Sequence, residues 1–295
     1  MTRTIKVGGV PEHFNAPWHI AKSKGLFAEK GVEVEWTDYP GGTGDMCKAL
    51  EQRDVDVAIM LTEGTLVKAL QQPKIKIIGL YLSTPAIWGV HTGKESCKFE
   101  KIEEMKEEAT FAISRMGSGS HLMAYVLAEQ LGWPTDNLRF KEVGGLKGAI
   151  EELPKDGSLV FMWEKFTTLP QVVDGTFKRV GELLTPWPFF VIAVNADFIQ
   201  EDGAREDFSN VLEVVKKEAD AFKSGGQSTL DYVKEHYKIE NDAASEWLSS
   251  VSWACELGID MEMLANVGAT LHRLDKIKTE DGSPPTTEAL QATLA

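Results

Sequence analysis

The sequence predicts an α/β protein of two lobes, each a mostly parallel sheet flanked by helices. Three observations predict it. Short runs of strand character alternate with helical segments from residue 4 to residue 163, the pattern of parallel strands joined by crossover helices. That alternation breaks at the charged stretch 94–108 and begins afresh at Thr110. The 295 residues are enough for two lobes of ordinary size, each with its own apolar core.

The elements follow in order. Residues 4–8 read as a strand, 11–15 as a polar and aromatic loop, and the chain from Pro17 to Gly25 as a helix. The run VEVEW at 32–36 alternates with period two and is the second strand. The turn-rich stretch 39–44 leads to a helix over 45–53, and 55–60 is the third strand. After a loop at 61–64 come a helix over 65–71 and a continuous apolar strand over 75–81.

The second lobe carries a strand at 110–114, a Gly/Ser loop at 115–121 and a helix over 122–131. Segments 138–143, 149–153 and 158–163 continue the alternation. The chain returns to strand at 189–195. Everything beyond reads as helical, over 206–222, 229–236, 243–251 and 261–274, with apolar residues at three- and four-residue spacing. These helices should pack back on the first lobe, giving lobe one as 1–92 with 188–295 and lobe two as 93–187. The Pro- and Gly-containing end, 278–295, reads as a flexible or surface-draped tail.

Composition removes several classes of function. Thirty-one Lys and Arg against 45 Asp and Glu give a net charge of −14, which repels nucleic acid and anionic membranes alike. The three cysteines, Cys47, Cys97 and Cys255, are far apart and outside any CxxC spacing. They suggest neither a disulfide framework nor a zinc site. Cys47 and Cys255 read as small buried hydrophobes inside helices. No apolar run is long enough to span a bilayer. Residues 1–9 lack the parts of a secretory signal, so the expected location is the cytoplasm. The expected state is a monomer or weak dimer.

In open α/β sheets, ligands bind where loops leave the carboxyl ends of strands and feed helix N-termini. Four loops qualify. The first offers Glu12, His13, Phe14 and Asn15, with Trp18 just behind. The second offers Gly42 and Thr43, and the third Thr62 and Glu63. The fourth holds Arg115, Gly117, Ser118, Gly119, Ser120 and His121. Trp88, Trp163, Glu164 and Trp187 complete a candidate cleft that is apolar at its walls and polar at a few points.

Neither glycine-rich loop completes a nucleotide-binding motif, since Leu122 stands where GxGxxG needs its last glycine. Gly117 to Ser120 either present donors to a small polar group or simply turn the chain and cap a helix. Arg115 suits a carboxylate, sulfonate or phosphate, or else a neighbouring protein carboxylate. No GxSxG elbow and no metal spacing among the histidines is present, so no catalytic residue, metal or cofactor is assigned.

Several runs carry a family resemblance across nearly the whole chain. These are GVPEHF at 9–14, AKSKGLF at 21–27, the Gly41 loop, DVDVAI at 54–59 and WEKF at 163–166. They resemble the type II periplasmic-binding-protein superfamily, in the branch of alkanesulfonate/taurine receptors and thiamine-pyrimidine synthases. SRMGSGSH at 114–121, FMWEKFT at 161–167 and LTPWP at 184–188 are similar to a small fungal cytosolic subfamily described as possible thiamine-biosynthesis proteins.

The resemblance implies two crossover strands near 88–91 and 189–194, and a cleft that traps a polar ligand, anionic or heteroaromatic, by hinge closure. The synthases carry a cysteine-rich iron motif and a pyridoxal cofactor. This chain has no cysteine cluster, and Lys74 and Lys76 do not match a cofactor lysine. The expected function is therefore binding of a small molecule linked to thiamine or pyrimidine metabolism. The alternatives are an enzyme of thiamine-pyrimidine precursor synthesis, with His13 or His121 and Glu12 or Glu164 as acid and base, and an importer's binding component without its leader.

Overall fold

The computed structural model describes residues 2–279 and 282–295. Its strands are β1 (Arg3–Gly9), β2 (Val32–Asp38), β3 (Val57–Leu61), β4 (Ile75–Leu82), β5 (Pro85–Gly93), β6 (Thr110–Ile113), β7 (Arg139–Glu142), β8 (Leu159–Glu164), β9 (Phe177–Pro188), β10 (Phe190–Asn195) and β11 (Trp253–Leu257). They form two sheets. Contacts divide the chain into one unit of 1–84, 187–233 and 248–295, and another of 85–186 and 234–247.

The first unit holds a six-stranded sheet of order β11-β4-β10-β3-β1-β2. β1 runs parallel to β2 and β3, whereas β10 is antiparallel to both β3 and β4. The sheet is thus mixed, because β10 re-enters from the opposite direction. In β2 the predicted alternation holds, with Val32 and Val34 buried and Glu33 and Glu35 exposed. β3 is apolar throughout and β10 is apolar up to its last residue, Asn195, and both are almost wholly buried, as strands covered on both faces must be.

The second unit holds a five-stranded sheet of order β7-β6-β8-β5-β9. β6 is parallel to β7 and β8, and β5 is antiparallel to β8. Its apolar core gathers Ala112, Ala149, Leu153, Leu159, Phe161 and Phe177, with Trp163 packed against it.

Four expectations are corrected. β5 was expected in lobe one, yet Trp88 to His91 pair with Phe161 to Glu164 in the second sheet. The chain therefore leaves the first unit at Thr84, not residue 92. Residues 234–247 group with the second unit, where Glu246 ion-pairs with Lys165 at 2.6 Å. The region beyond 195 is not wholly helical: β11 pairs with β4 through an irregular register, and Cys255 sits in that strand, buried. The predicted tail is docked over its last turn, since Leu290 is buried and Leu294 bridges to Ile77. Residues 280 and 281 of that tail lie outside the described residues.

Candidate functional site

Three connections of the first sheet converge at the carboxyl ends of β1, β2 and β3. After β1 the chain turns through His13–Asn15 into the helix Ala16–Ser23, with Pro17 in its first turn. After β2, Gly42 leads into the helix Thr43–Gln52. After β3, the helix Thr62–Gln71 begins at once. Thr62 and Glu63, expected in a loop, are therefore its first two residues. The polar Thr62 side chain is satisfied there, as its hydroxyl donates to Pro188 O at 2.6 Å.

The first connection is held from above and below. Both Tyr81 Oη and Trp253 Nε1 donate to the carbonyl of Phe14, at 2.7 and 2.9 Å. The Phe14 ring meets Phe189 edge-on at 5.2 Å and Phe190 at 5.7 Å. Asn15, fully buried, donates through Nδ2 to Val10 O at 2.8 Å, while its Oδ1 has no partner. Gly9 allows this approach, because a Cβ there would lie 2.5 Å from Trp36 and 2.9 Å from Asn15 Nδ2. His13 is buried beside Phe14, and burial pushes its pKa down to about 3, so it is a neutral imidazole. Glu12 is half-exposed at the entry.

Glu63 is the most unusual group in this unit. It is 1% exposed, and burial pushes its carboxyl up to about 7 against the hydrogen bonds from its own backbone and from Trp187. Trp187 Nε1 donates to Oε2 at 2.8 Å. Oε1 has no partner. One residue on, Gly64 lies close enough to Thr43 that an added Cβ would be 3.1 Å from its Cγ2, and the Thr43 hydroxyl is also buried without a partner. A buried polar atom without a partner costs about 1–3 kcal/mol, so these atoms are sites where a hydrogen-bonding partner would be favourable.

Trp18 behaves otherwise. Its ring packs on Trp36, Phe27 and Tyr81, at the heart of the helix–sheet contact, which is a core position.

In the second unit, the connections after β6 and β8 also leave the same sheet end, since these strands are parallel neighbours. Ser118 caps the helix Gly119–Gln130, accepting from His121 N at 3.3 Å. Ser120 Oγ accepts from Ser114 N at 3.0 Å and meets Ser118 Oγ at 3.1 Å. Gly117, at φ 77°, donates its N–H to His121 Nδ1 at 3.0 Å. That bond puts the ring proton on Nε2. The loop's hydroxyls are thus engaged in shaping the loop itself, while half-buried Arg115 stands at its start.

Glu164 is buried and also pushed up to about 7 by burial. Its Oε2 accepts from Phe166 N at 3.0 Å, Thr167 N at 2.7 Å and Thr167 Oγ1 at 2.8 Å. Trp163 points to the apolar core, stacked on Phe161, and Trp88 meets it edge-on at 6.3 Å. Both aromatic positions are packing positions, explained by the pleat that sets Phe161 and Trp163 on one face.

The structure therefore brings His13, Phe14, Asn15, Thr43, Thr62, Glu63 and Trp187 together within the first unit. It brings Ser118, Gly119, Ser120 and His121 together within the second. Sequence reasoning missed Tyr81 and Trp253, which fix the Phe14 carbonyl, and Arg179, which donates to Lys165 O at 2.7 Å and lies 3.4 Å from the buried His91 ring. A strand-end tyrosine was a readable signal for the first. Trp253 sat in a stretch read as helical, and nothing marked Arg179. Among the described residues no group of three or more His, Cys, Asp or Glu could hold a metal ion. No helix among them is long and apolar enough to cross a membrane.

Comparison with known proteins agrees with this architecture. Residues 88–183 match the family described as Ca3427-like PBP. The Candida albicans CA3427 gene product, described as defining a new family with the generic periplasmic binding protein fold, superposes with a TM-score of 0.87 at 25% identity, over 99% of this chain and 96% of that one. The chain has the type II periplasmic-binding-protein fold. Two more distant periplasmic-binding-protein structures share the fold. The alkanesulfonate-binding protein SsuA from Xanthomonas axonopodis pv. citri, bound to MOPS, gives a TM-score of 0.74 at 10% identity over 94% of each chain. The nitrate-binding protein NrtA from Synechocystis PCC 6803 gives 0.74 at 14% identity, over 98% of this chain and 85% of that one. Among curated proteins none matches the sequence.

Proposed function

We propose that this periplasmic-binding-protein-like chain is a binding protein for a small polar metabolite, received by the three strand-end connections of its first unit. One observation carries the reading: the buried polar atoms of Asn15, Thr43 and Glu63 that lack partners, grouped beside Trp187 and the Phe14–Phe189 contact. A ligand hydrogen-bonding to them would recover the cost of their burial. Solute binding by SsuA and NrtA supports the class of function. A cytoplasmic location, a link to thiamine or pyrimidine metabolism and capture by hinge closure between two lobes form part of the same proposal.

Calorimetric titration with a panel of amines, amino-heteroaromatics, sulfonates and carboxylates is the test, joined to small-angle scattering with and without the best ligand. A saturable one-to-one ligand that lowers the radius of gyration is expected. A folded protein that binds nothing in the panel would overturn the binding reading, and binding without compaction would overturn hinge closure.

A further inference from the structure

Among the polar atoms left without a partner in the first unit, Trp18 Nε1 is a donor set among the core aromatics Phe27, Trp36 and Tyr81, while two others at the strand ends are acceptors. Asn15 Oδ1 is an acceptor, and so is Glu63 Oε1 in the ionised carboxyl, the form that prevails above pH 7; neither meets a donor in the protein. The Asn15 amide cannot be turned over to change this. Its Nδ2 donates to Val10 O at 2.8 Å, and an oxygen in that place would face another acceptor. Thr43 Oγ1 can act either way.

Direct contacts link the three carriers of these atoms. The Asn15 connection touches Phe189 through Phe14, Thr62 bonds the carbonyls of Pro188 and Phe189, Trp187 bonds Glu63, and Gly64 abuts Thr43. The helix Thr62–Gln71 would by its dipole favour an anion at its first turn, but Glu63 already places a carboxyl there. A second anion beside that carboxylate would meet a like charge in a water-poor setting.

We propose that Glu63 and Asn15 receive a nitrogen-bearing donor group, a protonated amine, an amidinium or the N–H of an amino-heteroaromatic ring, in preference to a sulfonate- or nitrate-like anion. This selectivity rests on the binding reading and assigns the ligand class for the same site. Trp187 fixes one carboxyl oxygen and leaves the other for the ligand, so the contact is a single charge-assisted hydrogen bond with defined direction. The overall charge of −14 adds long-range attraction for a cation.

Thermal shift and calorimetry on the full chain at pH 8, with benzamidinium and 4-aminopyrimidine against methanesulfonate and nitrate, test this. The donor probes are expected to bind, and Glu63→Gln to weaken benzamidinium at least about ten-fold, since the amide keeps an acceptor for Trp187 but turns an N–H toward the ligand. Thr43→Val, nearly isosteric, should weaken the probes only a few-fold. Wild-type preference needs no variant, so the test survives if Glu63→Gln fails to fold. Anions that bind wild type as tightly as benzamidinium, or benzamidinium binding indifferent to a folded Glu63→Gln, would overturn the ligand class and leave the binding reading standing. If no probe of either kind binds at millimolar concentration, both fall.

Discussion

Glu63 and Glu164 are near twins in environment and differ in their hydrogen-bond partners. Each is buried at the carboxyl end of a strand in its own unit, and burial pushes each carboxyl up to about 7. Glu164 spends Oε2 on three donors from the turn that follows it, so its charge is tied to the local chain path. Glu63 holds one distant tryptophan and keeps Oε1 unpartnered. Burial and a raised pKa therefore do not by themselves mark a ligand group; what sets Glu63 apart is its unpartnered Oε1.

The largest expected effect separates the two by stability. Glu164→Ala leaves the N–H groups of Phe166 and Thr167 without their acceptor and should cost on the order of 3 kcal/mol in urea unfolding. Glu63→Gln, which keeps an acceptor for Trp187, should stay within about 1 kcal/mol of wild type at pH 5. Equal losses would dissolve the distinction.

The next effect is pH-dependent. Both carboxyls have folded pKa values of about 7 against an ordinary 4.5, so the folded chain holds more protons between those values. The stability each contributes is complete below pH 4.5 and is lost as pH rises through 7, by up to about 3 kcal/mol per group. Relative to wild type, Glu63→Gln should therefore become more stable by about 2 kcal/mol on going from pH 5 to pH 8. No relative change would show that Glu63 ionises freely in the folded protein.

His13 and His91 act in the other sense. Burial lowers both to about 3, with Arg179 adding to the effect at His91. The stability they contribute is present above the ordinary value of 6.5 and is lost as pH falls toward 3. Ring nitrogen shifts followed by NMR should show both imidazoles neutral at pH 5, and a protonated signal for either there would contradict their burial.

The smallest effect concerns the loop at Ser118. Its hydroxyl caps a helix, so Ser118→Ala should cost about 1 kcal/mol in stability and change benzamidinium affinity less than about two-fold. A larger affinity loss would assign that loop to the ligand.

Much of the fold was legible because burial writes itself into pattern. β2 alternates, β3 and β10 are continuous apolar runs, and glycine and proline mark the turns between them. β11 was not legible. Its five residues lie between helices, too short a run for their alternation to stand out, and they pair with β4 through an irregular register. β9 hid for a related reason, being a long strand with many half-exposed residues at the edge of its sheet. Asn15, Thr43 and Glu63 could be placed at strand ends from the sequence, as members of a candidate site. Their roles could not, because the Glu63 partner is 124 residues away and the unpartnered oxygen exists only once the chain is packed.

Carbon-13 NMR titration of the glutamate side-chain carboxyls, with and without saturating benzamidinium, probes the contrast most directly. A bound cation favours the ionised form, so the Glu63 carboxyl should fall clearly below 7 on ligand addition while that of Glu164 stays near 7. A Glu63 titration that ignores a bound cation, or one that moves together with Glu164, would contradict the assignment of Glu63 to the ligand.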